Sequence, residues 1–206
     1  NDEFGNSLDL SNDGNTLVVG SNREDGNGIG VNPLHNNSLL QSGAAYVFSR
    51  SGTTWTQQAY LKANNPTTLD YFGTNVAISG DGNTVAVGAP LEDGSGGGIN
   101  AIDDNSKASS GAVYTYTRSG STWSFDAKIK PTTNYITVGD KRFGIDVALN
   151  NDGTTLAVGS DFDDSVNTGI NSLPNNSATD AGAAFVFVKN SGVWSQQAYI
   201  KPNQVN

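Results

Sequence analysis

The chain has no cysteine and no methionine among its 206 residues, a single histidine, and 11 lysines and arginines against 20 aspartates and glutamates. Without cysteine neither a disulfide framework nor a thiolate metal site can form, and thiol usage says nothing of the redox compartment. His35 has no counterpart at the matching repeat positions, where Asp103 and Pro174 stand, so a zinc site or a histidine-based triad finds no support. The shortage of cations leaves a formal net charge of −9 and a sequence pI near 4.3. That charge repels phosphate backbones and anionic lipid surfaces, so no nucleic-acid partner is expected and cations are the more natural ones. It also serves as a solvated surface that keeps a protein soluble. No apolar run approaches ~18 residues, so neither a membrane span nor a signal peptide is expected within the sequence. A start at Asn1, without Met, suggests a processed protein or a piece of a longer one. Helix-forming runs of Ala, Leu, Glu and Lys are scarce, whereas Gly alone numbers 25 and Asn, Ser and Thr abound. Strands joined by turns, an all-β fold, are the expectation.

What the sequence does have is a repeat. Phe4-Gly5, Phe72-Gly73 and Phe143-Gly144 are separated by 68 and then 71 residues. Asp13-Gly14, Asp81-Gly82 and Asp152-Gly153 keep that spacing, as do Gly20, Gly88 and Gly159, then Gly43, Gly111 and Gly182, then Trp55, Trp123 and Trp194. Within each copy, alternate apolar residues (Leu8 and Leu10, Val76 and Ile78, Val147 and Leu149) mark a first strand. An Asp-Gly turn leads into a second strand, as in Thr16 to Gly20, and Asp-Gly between β-rich runs is a strong hairpin signal because both turn positions tolerate positive φ. After a long loop, Gly43 to Phe48 alternates small and aromatic side chains, as do Gly111 to Tyr116 and Gly182 to Phe187. A Ser-Gly turn then reverses the chain into a fourth strand opened by the Trp. Three four-stranded antiparallel meanders follow, over 1–69, 70–140 and 141–206.

A meander of four short strands cannot cover both of its faces, and all-β units of this length most readily stack radially as propeller blades. Copy two reads Phe72-Gly73 at its first strand and Gly88-Ala89-Pro90 after its second, which resembles the FG-GAP signature of the integrin-α propeller repeat, in its bacterial form especially. Copies one and three keep the Phe-Gly but close on Gly20-Ser21-Asn22 and Gly159-Ser160-Asp161. Propellers close with about 4 to 8 blades, so three form an incomplete ring. Further blades from a longer chain, or self-association of chains, are expected to continue it.

The resemblance also implies Ca²⁺ in the hairpin between strands one and two, but that hairpin holds one carboxylate per copy (Asp13, Asp81, Asp152) and reads as a tight turn. More promising is the loop between strands two and three, whose flanking glycines are 23 positions apart in every copy. Each loop carries an acidic pair, Glu24-Asp25, Glu92-Asp93 and Asp163-Asp164, and an Asn-Ser at Asn37, Asn105 or, after Asn175, Asn176. Apolar residues between them (Val31 and Leu34, Ile99 and Ile102, Ile170 and Leu173) are expected to pin the loop to its blade. Carboxylate, amide and backbone oxygens converging there would suit a hard cation such as Ca²⁺; alternatively the acids cap backbone N–H groups and the Asn supports a turn. The tryptophans serve either blade packing or the stacking of sugars.

These features point to a non-catalytic module outside the cell or on its surface, offering repeated acidic loops to a protein or glycan ligand. The alternative is a structural subunit of a surface layer, sheath or filament, joined through blade edges or loops. Catalysis by acid pairs in the manner of a glycosidase is disfavoured, because the acids recur in every copy whereas a propeller enzyme assembles one unsymmetrical site.

Overall fold

The computed structural model describes residues 1–101, 104–132, 141–175 and 177–204, and none of these is helical. The strands form three antiparallel sheets. In the first, β1 (Leu8–Leu10), β2 (Thr16–Ser21), β4 (Ala44–Ser51) and β5 (Thr54–Lys62) make the meander, and β3 (Gly30–Val31) from the long loop adds to the far edge of β5. The second holds β6 (Val76–Ile78), β7 (Thr84–Ala89), β8 (Ala112–Ser119) and β9 (Thr122–Ile129). The third repeats the first with β10 (Asp146–Leu149), β11 (Thr155–Ser160), β13 (Ala183–Asn190) and β14 (Val193–Lys201), edged by β12 (Gly169–Ile170).

The fifth strand corrects the four-stranded expectation for the first and third sheets, and its cause is local. Asn32 and Asn171 sit at φ 51° and 56°, a left-handed conformation that Asn tolerates. Each donates its backbone N–H to the carbonyl of Tyr60 or Tyr199 (2.7 Å in both) and accepts that tyrosine's N–H on its side chain (2.8 and 2.9 Å). Asn100 holds Lys128 in the same way in the second sheet, where only an isolated bridge, Ile99 to Ile129, forms.

The sheets lie face to face, and the Phe-Gly landmarks sit where they meet. Phe72 bridges in parallel to Gly43, and Phe143 to Gly111. A Cβ on Gly20 would stand 2.2 Å from the Gly73 carbonyl oxygen, and one on Gly88 2.0 Å from that of Gly144. Only glycine allows so close an approach of two backbones. Phe72 then packs edge-on against Tyr114 and Tyr116, and Phe143 against Phe185 and Phe187. Every residue of β7 is buried, whereas β11, on the outer sheet, is partly open.

A β-bulge recurs between the third and fourth strands of each sheet, leaving Gln58, Asp126 and Gln197 as the extra residues. A bulge re-aims a side chain. Here it turns Gln58 and Asp126 toward the next sheet, where they accept the indole N–H of Trp123 (2.7 Å) and Trp194 (2.9 Å). Two of the three tryptophans therefore tie blade to blade.

The row of sheets is curved. Asn12, in the first hairpin, donates its side-chain amide to Asn151 in the third (2.7 Å), although the second sheet stands between them. Asn12 N–H also bonds the Gly80 carbonyl, and Asp81 N–H that of Asn151. A straight stack would hold the first and third hairpins a full sheet apart. Their contact requires the inner ends to converge, as blades of a propeller do.

Candidate functional site

The long loops share one frame, built on the first acid of each pair. Glu24 is fully buried and accepts from the Tyr60 hydroxyl (2.9 Å) and the Lys62 ammonium (2.7 Å). Lys62 also donates to Ser42 Oγ (2.7 Å) and the Gly43 carbonyl (2.6 Å), so it ties the start of the loop to its return. Glu92 meets Lys128 (2.5 Å) and Lys130, with Lys130 bound to Ser110 Oγ (2.7 Å). Asp163 accepts from the Tyr199 hydroxyl (2.7 Å) and Lys201 (3.0 Å). The backbone closes the same way each time, with Gly43, Gly111 and Gly182 donating N–H to the carbonyls of Glu24, Glu92 and Asp163 at 2.9 Å.

Burial sets the electrostatics. It pulls the Lys62 ammonium below the ordinary lysine value, against the opposing pull of Glu24. Burial would lift Glu92, but Lys130 and then Lys128 more than offset it and hold the carboxyl below its ordinary value. The Tyr60 phenol is raised far above its usual range, by burial and then by its bond to Glu24, and stays a proton donor. In the first blade alone, His35 stacks on Tyr60 (5.4 Å between rings) with Nε2 3.5 Å from Glu24.

The second acid of each pair does different work. Asp25, Asp93 and Asp164 accept the N–H of Gln41 (2.7 Å), Ser109 (2.8 Å) and Asp180 (3.0 Å), capping the returning limb of the loop. Asp164 also pairs with Lys141 at 2.7 Å. The first acid of each pair is thus engaged by a lysine and the second by a backbone N–H, to which the third pair adds Lys141 at Asp164. Among the described residues no three His, Asp or Glu side chains gather in a metal-binding group.

The loop tip is shaped by the residue before the expected Asn. Asn36 accepts the N–H of Asn27 (3.1 Å) and of Ser38 (3.3 Å), Asp104 those of Ser95 (2.9 Å) and Ser106 (3.2 Å), and Asn175 that of Val166 (3.1 Å). The Ser95 hydroxyl and N–H hold Asp104 well below the usual carboxylate range. Asn37 and Asn105 are exposed, and Asn176 lies outside the described residues. Of the apolar pins, Val31 and Ile99 pack on the core, whereas Leu34 (90% exposed), Ile170 (70%) and Leu173 (69%) face solvent. Ile102 lies outside the described residues. Beside the second loop, Asn64, Asn65, Asn100, Ala101, Phe125 and Lys128 line a cleft of about 320 Å³.

Sequence reasoning missed the lysines, although Lys62, Lys130 and Lys201 keep the 68 and 71 spacing, as do Asn32, Asn100 and Asn171. The signal was present, since an acid and a lysine recurring in phase must stay at a fixed distance.

Comparison with known proteins bears on the repeat and the fold. Residues 55–116 match the family model described as FG-GAP repeat, from the fourth strand of the first sheet to the third strand of the second. A crystal structure from Bacteroides uniformis, described as a candidate 6-phosphogluconolactonase, is similar in fold at 13% identity and a TM-score of 0.51, covering 97% of this chain and 41% of its own. A Sulfolobus tokodaii structure described as a hypothetical selenium-binding protein matches at 10% identity and a TM-score of 0.47, covering 92% and 39%. The chain spans about two fifths of the length of these structures. No curated protein matches it.

Proposed function

Starting from a chain that carries an FG-GAP repeat in a row of propeller-like blades, we propose that it is a non-catalytic binding or adhesion module, working outside the cell or on its surface. One observation carries the reading: three loops of equal span are tied down by the same buried acid–lysine frame. A loop fixed in this way presents its tip at low entropic cost, which favours recognition of an extended partner at several points. The tips offer exposed Leu34 and Leu173, edge strand β12 adds exposed Ile170, and the amide- and phenyl-lined cleft beside the second loop is of the size and character that takes part of a peptide or a sugar. A protein or glycan ligand fits this surface. The paired acids are unsuited to proton transfer, because each is already held by an ammonium or a backbone N–H.

The cationic need of the loops is met from within by Lys62, Lys130 and Lys201, and on that ground Ca²⁺ is not required to hold them. The test is a screen against glycans and extracellular matrix proteins, repeated with Leu34→Ser/Leu173→Ser. Retention by the native protein and at least about tenfold weaker binding by the variant are expected, as for residues central to an interface. Binding that ignores both substitutions would sink the loop-face assignment.

A further inference from the structure

The junction between the first and second blades departs from the repeat, and its departures meet in one place. Asn64 and Asn65, on the link from the first sheet to the second, line the cleft of about 320 Å³ together with Asn100, Ala101, Phe125 and Lys128 of the second blade. Phe125 stands where the other copies have Gln57 and Gln196, and Lys128 where they have Tyr60 and Tyr199. At the second junction the residues matching Asn64 and Phe125 are Thr132 and Gln196, and these bond each other, Thr132 N–H to Gln196 Oε1 at 2.9 Å. A phenyl ring offers no such acceptor, so Phe125 does not close the first junction in that way. Residues common to all three copies answer to the shared fold, whereas two exchanges that converge on one cleft point to a task of its own.

We propose that this cleft binds one neutral sugar residue of a glycan. The proposal rests on the binding-module reading and deepens it by naming the ligand class for one place on the surface. Hydrogen-bond accounting carries it. Asn65 Oδ1 accepts the Tyr114 hydroxyl (2.8 Å) and Asn100 Oδ1 accepts the Lys128 backbone N–H (2.9 Å). Both amides therefore spend their oxygen on the fold, and Asn65 Nδ2, which is buried, has no partner among the described residues. A buried donor left unpaired is costly, and a ligand oxygen would satisfy it. The cleft thus offers donors in its wall, the exposed Asn64 amide at its rim and one aromatic ring. A sugar has the matching parts: hydroxyl oxygens around its edge accept from the amides, and its C–H face lies on the phenyl ring. An extended peptide suits the wall less, because its N–H groups need acceptors, which Asn65 and Asn100 have already given to Tyr114 and Lys128. The Lys128 ammonium is answered by Glu92 at 2.5 Å, so the wall does not call for an anion. At about 320 Å³ the cleft lies at the small end of ligand sites, which run from about 300 to 1,000 Å³, and fits a single ring.

The experiment titrates the native chain with D-glucose, D-galactose, D-mannose and N-acetyl-D-glucosamine, with D-glucuronate as the anionic control and a hexapeptide library alongside, and reads saturation-transfer NMR and calorimetry. Binding of at least one neutral sugar is expected. Phe125→Gln installs the residue that the other two copies carry at this position, and is expected to weaken that sugar at least about tenfold while circular dichroism keeps the native β spectrum. Asn65→Asp keeps an acceptor for the Tyr114 hydroxyl and removes the donor, so it tests the same contact without emptying the wall, and a similar loss is expected. Leu34→Ser/Leu173→Ser changes no residue of the cleft and is expected to leave the sugar's affinity where it was. A chain that binds none of the neutral sugars, sugar binding that both cleft variants leave intact, or glucuronate or peptides bound in preference to the neutral sugars overturns the proposal. The loop-face reading then still stands or falls on Leu34 and Leu173 in its own screen.

Discussion

Asp70 offers a test of how the blades are joined. It is buried where the chain passes from the first blade to the second, and accepts the N–H of Thr67 (2.6 Å) and its hydroxyl (2.5 Å). Desolvation raises its carboxyl most; the Thr67 bonds pull it down and the nearby Glu92 and Asp93 push it up, leaving it at about 7 against an ordinary 3.8. In the third copy the same position is Lys141, paired with Asp164 at 2.7 Å. Below about pH 4 folded and unfolded chains both hold the Asp70 proton, and the residue has no effect on their balance. From there to pH 7 the unfolded chain releases the proton while the folded chain keeps it, so stability falls as pH rises, and above the folded value the loss is complete. At about 1.4 kcal/mol per pH unit, the interval from 3.8 to about 7 corresponds to about 4 kcal/mol. Asp70→Asn keeps an acceptor for Thr67 N–H and cannot ionise. Urea unfolding of both proteins should show the variant gaining about 3 kcal/mol on the native chain between pH 4.5 and pH 8. Every other carboxylate is common to the two, so the difference isolates Asp70, and stability curves that run parallel across this range would refute the reasoning.

Lys62→Met leaves Glu24 buried without its cation and should cost about 3–5 kcal/mol, with Glu24→Gln/Lys62→Met recovering much of the loss in urea unfolding. Asp126→Ala strips acceptors from Trp194 (2.9 Å) and Lys189 (2.8 Å); a loss of about 2–3 kcal/mol is expected, with Trp194 fluorescence shifted toward that of an exposed indole. Millimolar Ca²⁺ should leave the melting temperature where a chelator leaves it, because a cation bound only by the folded chain would raise it.

The strands were legible because their pattern is periodic and local. Alternating residues and Asp-Gly turns mark the paired first and second strands in every copy, and the single carboxylate of each turn does the work of a turn: Ser11 and Asn15 hold Asp13 down at about 2. The fifth strand was not legible, since two residues carry no period and its position depends on the Asn32 clamp. The acid pairs were found, but their partners were not. An acidic loop read alone suggests a cation from outside, and the cations stand on the fourth strand, 38 residues further along. Likewise Leu34 and Leu173 look like anchors by composition, yet the loop is held by polar bonds beneath it, which leaves them in solvent.

The degenerate copies of the motif show which part of it is structural. Where copy two has Gly88-Ala89, copies one and three have Gly20-Ser21 and Gly159-Ser160, and all three second residues are buried. A buried hydroxyl without a partner costs about 1–3 kcal/mol, so the change from Ala to Ser is tolerable only if an acceptor waits. One does: Ser21 donates to the Asp2 carbonyl at 2.8 Å and Ser160 to the Lys141 carbonyl at 2.6 Å. Both carbonyls sit two residues before the Phe-Gly, so the hydroxyl fastens the start of a blade to its own second strand. The glycine admits no such exchange where a neighbour is seated, because the next backbone lies within 2.2 Å of where a Cβ would be. It follows that the Phe-Gly and the glycine facing it form the junction itself, while the residues around them can vary with local hydrogen bonding.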